Sequence, residues 1–230
     1  MLCLGIDTAL GACSVALAGE SGLRARRYQA MTTGHAEALA PMAEALMAEA
    51  GVAFADLGRI AVTTGPGTFT GQRIGLAFAR GLAAALGIGC VGLTTLEVIA
   101  AAARAEYPGR PVLVASDARR GEAYVQGFAA DGAPLGPPAL LTLAGAAQSL
   151  AALGGAPVLA GTAAAAIAAL LAPGAAALAR SDQPDAAIVA RLGLALPEPS
   201  GPPAPLYLRA PDAKLPGPLK APPPQYRTRP

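Results

Sequence analysis

The sequence predicts a duplicated α/β fold, with two mixed sheets flanked by helices and a proline-rich tail. Three observations predict it. Residues 2–6, 13–18 and 23–30 are short runs separated by turn residues, the pattern of a three-strand meander. From residue 34 onward the pattern alternates between helix and strand periods. After a linker at 106–111 the order begins again: residues 112–116 are apolar like residues 2–6, and Asp117 and Gly121 repeat the Asp-x-x-x-Gly spacing of Asp7 and Gly11 at an offset of 110.

Each element follows from local pattern. Gly19-Glu20-Ser21-Gly22 supplies the turn between the second and third strands. Residues 34–50 form a helix, because Leu39, Ala43 and Leu46 recur at i, i+4 and i+7 and Gly51 provides a stop. A strand at 59–64, a helix at 70–86, a strand at 88–93 and a helix at 95–103 complete a first unit, residues 1–105. The second, smaller unit, residues 106–196, holds strands at 112–116 and 122–128, a turn at Asp131-Gly132 and a third strand near Ala139. A helix reaching Leu153, a strand at 158–160 and a helix at 162–171 follow. Residues 158–179 carry no charge, yet Gly161, Pro173 and Gly174 cut them into strand, helix and strand lengths, so no membrane span is expected. Beyond Leu196 lie twelve of the 22 prolines, and residues 197–230 read as an extended tail with a docking point at Leu206-Tyr207-Leu208.

Composition narrows the chemistry. With 53% hydrophobic and 14% charged residues, the 230-residue chain is folded rather than disordered. A single histidine and three cysteines without C-x-x-C spacing make a metal centre a poor expectation. The odd cysteine count and the uncharged start Met1-Leu2-Cys3 suggest buried thiols in a reducing, cytoplasmic setting. Residues 1–198 carry a formal charge of −2 and residues 199–230 +4, so the body is not the footprint of a lone nucleic-acid binder.

The strongest local motif is Gly65-Pro66-Gly67-Thr68-Phe69-Thr70-Gly71, between a predicted strand and a predicted helix. It reads either as a tight turn or as an anion cradle. It lacks the Gly-Lys-Ser/Thr of a Walker loop and the spacing of a dinucleotide fingerprint. Asp7 and Thr8 at the end of the first strand, with Gly65, Gly67 and Thr68, are the candidate nucleotide or phosphate contacts.

In the following helix Ile74, Leu76, Phe78 and Leu82 spread over more than one face, so the helix must be buried on more than one face. Gly71, Gly75 and Ala79 form a small-residue ridge along which another helix could approach. Either a partner covers this helix or it is central to a large core. The partner-binding candidates are Leu39, Met42, Leu46, Thr70, Gly71, Arg73, Ile74, Gly75, Phe78, Ala79 and Leu82. Asp117, Arg119, Arg120 and Glu122 make a charged cluster at the second hairpin. His35 is expected as a helix-start contact rather than a base.

Leu4-Gly5-Ile6-Asp7-Thr8-Ala9, Gly65 through Gly71 with Arg73-Ile74-Gly75, Gly92 through Leu96, Asp117 through Tyr124 and Tyr207-Leu208-Arg209, in this order, resemble the TsaB (YeaZ) family of the actin-like ATPase (ASKHA, RNase H-like) superfamily. The resemblance implies a non-catalytic scaffold and dimerisation subunit. It would be required with TsaD and TsaE for threonylcarbamoyl transfer to N6 of adenosine 37 in tRNAs reading ANN codons, tRNA being reached only through the complex. It further implies a homodimer when TsaD is absent, and assigns the two helices named above to the docking bundle. The histidine pair that holds the metal in TsaD falls at Thr95 and Ile99 here. Gln72 stands where the family often has an apolar residue, and Ala160-Gly161-Thr162 has one glycine where nucleotide-binding relatives have two. No cofactor is therefore expected on the chain alone, with ATP or ADP at a subunit joint left open. The alternative is an autonomous enzyme of the same superfamily, a small-molecule kinase or a metallopeptidase.

Overall fold

The computed structural model describes residues 1–209; the part of the expected tail beyond Arg209 lies outside them. Strands β1 (Leu2–Asp7), β2 (Ala12–Gly19) and β3 (Gly22–Ala30) form the predicted antiparallel meander. β4 (Arg59–Thr63) and β5 (Gly89–Leu93) join in parallel, giving the order β3-β2-β1-β4-β5. The second sheet has β6 (Val112–Asp117), β7 (Glu122–Phe128), β8 (Ala139–Thr142), β9 (Val158–Ala160) and β10 (Ala177–Leu178), in the order β10-β9-β6-β7-β8. The two sheets share one plan, an antiparallel meander extended by parallel strands on its first-strand side. Two mixed sheets flanked by helices make this the actin-like ATPase architecture.

The period-2 alternation of β1 divides its side chains between two layers. Leu4 and Ile6 face helices α1 (His35–Ala50) and α2 (Phe69–Leu86), in a core with Leu39, Leu46, Ile60, Val62 and Leu76. Cys3 faces the opposite layer with Ala61, Val91, Val98 and Val189. α3 (Thr95–Glu106) lies between the two sheets: Val98 packs on the first, while Leu96, Ile99 and Ala103 pack on Val112, Val114 and Phe128 of the second. Its start is fixed by a capping box in which Thr94 and Glu97 satisfy each other's backbone N–H. α4 (Leu143–Leu153) and α5 (Ala164–Ala168) cover the far face of the second sheet.

The helix expected at 162–171 is reduced to the five residues of α5. Thr162 is not its cap; its hydroxyl accepts the Asp117 N–H at 2.8 Å, holding the chain to the end of the central strand β6. The sequence reading also assigned no element to residues 180–196. There the chain forms α6 (Ala186–Ala195), capped by Asp185. Although α6 falls within residues 106–196, expected as a second subdomain, it crosses back to the first sheet. The Ala186 N–H donates to Ser14 Oγ on β2. At the other end the buried Arg59 guanidinium takes the Gly193 and Leu196 carbonyls, which the helix cannot satisfy itself.

α6 lies unusually close to the sheet. A Cβ added at Gly5 would sit 2.6 Å from the Ala190 nitrogen and nearer still to the Ala186 oxygen, and Gly193 leaves the same clearance for Ala61. Gly5→Ala should therefore lower stability by about 2–3 kcal/mol through overpacking, read as a fall in the urea midpoint. Gly81→Ala, in open space on α2, should raise stability by about 0.5–1 kcal/mol through helix propensity.

Candidate functional site

The glycine loop closes on the chain itself. The Thr68 N–H donates to the Ala9 carbonyl at 2.8 Å, the Thr8 hydroxyl donates to the Gly71 carbonyl at 2.7 Å, and Gln72 Nε2 donates to the Gly67 carbonyl at 3.0 Å. Cβ atoms at Gly67 and Gly71 would strike the Ala9 and Thr8 carbonyls, so glycine is required there by the approach of the first hairpin. The α2 N-terminus is capped internally, Thr68 Oγ1 accepting the Gly71 N–H at 3.1 Å. Asp7 and Thr8 are fully buried, and Gly65 is buried beside them. These bonds have the form of a tight turn; of the candidate phosphate contacts Asp7, Thr8 and Gly65 are buried, while Gly67 is half-buried and Thr68 exposed.

Asp7 Oδ1 accepts from the Thr63 hydroxyl at 2.6 Å and the Ala9 N–H at 3.2 Å, while Oδ2 is buried without a partner. Burial pushes its carboxyl up to about 7; the two hydrogen bonds oppose the shift and the neighbouring Asp185 charge adds to it. Burial likewise raises the thiols of Cys3 to about 12 and of Cys13 and Cys90 to about 11, and all three are free. These are inert core residues.

The expected partner surface is redistributed. Leu39 and Leu46 are in the core. The ridge Gly71, Gly75 and Ala79 is buried against the chain's own first strand, where a Cβ on Gly75 would lie 2.6 Å from Thr8 Oγ1, so it is not available to another helix. Small residues were needed here for the sheet. What α1 and α2 leave partly open is a seam of Met42, Ile74, Phe78 and Leu82, beside the exposed Thr70, Arg73 and Ala77. A groove of about 720 Å³ runs between β3 and α1, but Arg26 and Arg27 on its wall are paired with Asp185 and Glu49.

His35 starts α1 and is buried, with Nε2 unpartnered. At the second hairpin Asp117 Oδ1 accepts the Arg119 N–H at 2.8 Å, and Arg119 and Arg120 occupy left-handed backbone at φ 62° and 59°. The predicted docking of residues 206–208 is realised. The Leu206 N–H donates to the Thr64 carbonyl at 2.8 Å, Tyr207 lies beside Phe69, and its phenol oxygen accepts from Arg73 Nε at 2.7 Å. Arg209 bonds the Ala118 carbonyl at 2.8 Å and pairs with Glu122. Sequence reasoning missed Arg59 and Phe69; the only signal was an arginine opening a strand and an aromatic ring inside a polar loop.

The family described as TsaD: tRNA N6-adenosine threonylcarbamoyltransferase matches residues 29–133. A TsaB protein of Escherichia coli is 37% identical over 124 residues, 54% of this chain and 53% of that protein, so the match spans about half the length of that relative. A Pseudomonas aeruginosa structure described as an uncharacterized protein with similarity to peptidase YeaZ aligns with TM-score 0.76 at 31% identity, covering 90% of this chain and 98% of that one. YeaZ from the same organism aligns with TM-score 0.71 at 30% identity, over 84% of this chain and 90% of its own. The chain belongs to the TsaB (YeaZ) family. In this TsaB-family chain Thr95 and Ile99 are fully buried within α3, facing the core between the sheets. Among the described residues no three His, Cys, Asp or Glu side chains converge to hold a metal, and no helix is long and apolar enough to cross a membrane.

Asp7 gives the site a pH signature. Its folded value, about 7, lies above the ordinary 3.8, so the stability its protonated form contributes is complete below about pH 4 and is lost as pH rises through 7. Asp7→Asn keeps the acceptor for Thr63 and removes the buried charge. It should match the parent near pH 4 and exceed it at pH 8 by roughly 2–4 kcal/mol, measured by urea unfolding at both pH values.

Proposed function

We propose that this chain is a non-catalytic accessory subunit acting with TsaD and TsaE in forming threonylcarbamoyladenosine in tRNA, and that it offers its α1–α2 seam to TsaD, or to a second copy of itself when TsaD is absent. The observation that supports the reading is the loop's closure on its own chain: the Thr68 N–H and the Gly71 and Gly67 carbonyls are bonded to Ala9, Thr8 and Gln72. A subunit built this way contributes a shape. The half-buried apolar seam, with Arg73 and Arg80 as the only charges on α2, has the composition of an interface core with a polar edge. A peptidase reading has behind it only the likeness to one structure described as similar to a peptidase.

The reading is tested by mixing. The chain added to TsaD, TsaE and a supply of threonylcarbamoyl-adenylate should restore modification of tRNA, and alone should give none; product from the isolated chain would reject it. Ala77→Arg places a long charge beside the seam at an exposed position and should weaken association with TsaD at least tenfold while leaving the thermal midpoint unchanged. Unaltered association would place the docking surface elsewhere.

A further inference from the structure

Residues far apart in the chain build an exposed patch that adjoins the docking seam at Arg73 and extends away from it. Phe69 is 53% exposed and Tyr207 42% exposed, their ring centroids 5.7 Å apart with planes 30° from parallel. The Arg73 guanidinium lies 3.5 Å over the Phe69 ring, and among the described residues its partners are π faces and the neutral Tyr207 phenol, with no carboxylate in an ion pair with it. Two residues beyond Tyr207, Arg209 anchors on the β6–β7 hairpin. That hairpin tip spends the left-handed conformation, which costs about 1 kcal/mol for a side chain other than glycine or asparagine, on two consecutive arginines. Arg119 is exposed there, while the Asp117 carboxylate is turned back to the Arg119 N–H. From this point the sequence continues with four more basic residues and one acid.

We propose that the Phe69–Tyr207 platform, with Arg73 against it and Arg119 on the hairpin to which Arg209 ties the chain, is a direct RNA contact that stacks on an unpaired base and neutralises flanking phosphates. This rests on the reading of the chain as a tRNA-modification subunit. The charge of residues 1–198 argues against a lone nucleic-acid binder, and only 4% of residues are aromatic, but the fold brings two of the rings together, 138 positions apart, where bases could stack. Rings and arginines occur at protein interfaces too, so it is the charge balance that favours RNA. Among the described residues neither Arg73 nor Arg119 is in an ion pair with a carboxylate, and the sequence that follows adds four bases against one acid, which suits a polyanion.

The test uses the full-length chain with an in vitro transcribed tRNA that reads an ANN codon, by fluorescence anisotropy across a salt series and by ultraviolet crosslinking with mass spectrometry, alone and with TsaD. Crosslinks are expected at Phe69 or Tyr207. Phe69→Ala should weaken binding roughly tenfold through lost stacking. Arg119→Gly relieves the backbone conformation, so the fold stays intact, and it should make the slope of log affinity against log salt shallower by about 1. Unchanged affinity and slope in both variants, or no crosslink with TsaD present, would overturn the contact. So would loss of TsaD association in these variants, which would make the patch a protein surface. Modification of tRNA scored in the same mixtures separates the two readings. Stimulation without crosslinks removes only the RNA contact, whereas tRNA binding without stimulation removes the accessory role and leaves the contact standing.

Discussion

The structure depends on how closely α6 lies against the first sheet. Two glycines, Gly5 on the strand and Gly193 on the helix, permit the approach, and Ala61 and Ala190 fill what space is left. Both ends of the helix are then satisfied from the sheet, the first N–H by Ser14 and the last carbonyls by Arg59. Arg59 matters as a cap. Its ion pair with Glu198 has one partner 76% exposed, and such a pair contributes little by itself. With α6 seated, β2 is covered on both faces, which is why all eight of its residues are buried although it lies next to an edge strand.

The same economy governs the glycine loop. Elsewhere in α/β proteins a glycine-rich turn before a helix exposes backbone N–H groups to an anion. Here the first hairpin and the loop bond to each other, and Gln72, a polar residue buried at the start of α2, completes the closure. Asp7 is the cost of that arrangement, a carboxylate held in the interior with one oxygen unsatisfied.

Much of the fold was legible because its signals are local. The meanders, the alternation from residue 34 and the second Asp turn each occupy a short window, and the strands at 122–128 and 158–160 match β7 and β9 residue for residue. The partner surface was less legible. A helix wheel for α2 shows a small-residue ridge and an apolar seam, but which of them meets the sheet depends on Thr8 arriving from a distant hairpin. α6 carries a fair signal, Asp185 before an apolar run closed by Pro197, but its alanine-rich composition blurs the periodicity. Arg59 and the Phe69–Tyr207 pair had no sequence signal strong enough to find them, since their partners lie more than a hundred residues away.

Residues 197–209 run from the end of α6 along β5, past Thr64 and Phe69, to the second hairpin. An extended segment so placed can settle only once both sheets exist, because its contacts are drawn from both. Its prolines keep the unfastened form stretched rather than collapsed, and little ordering entropy is then lost on closing.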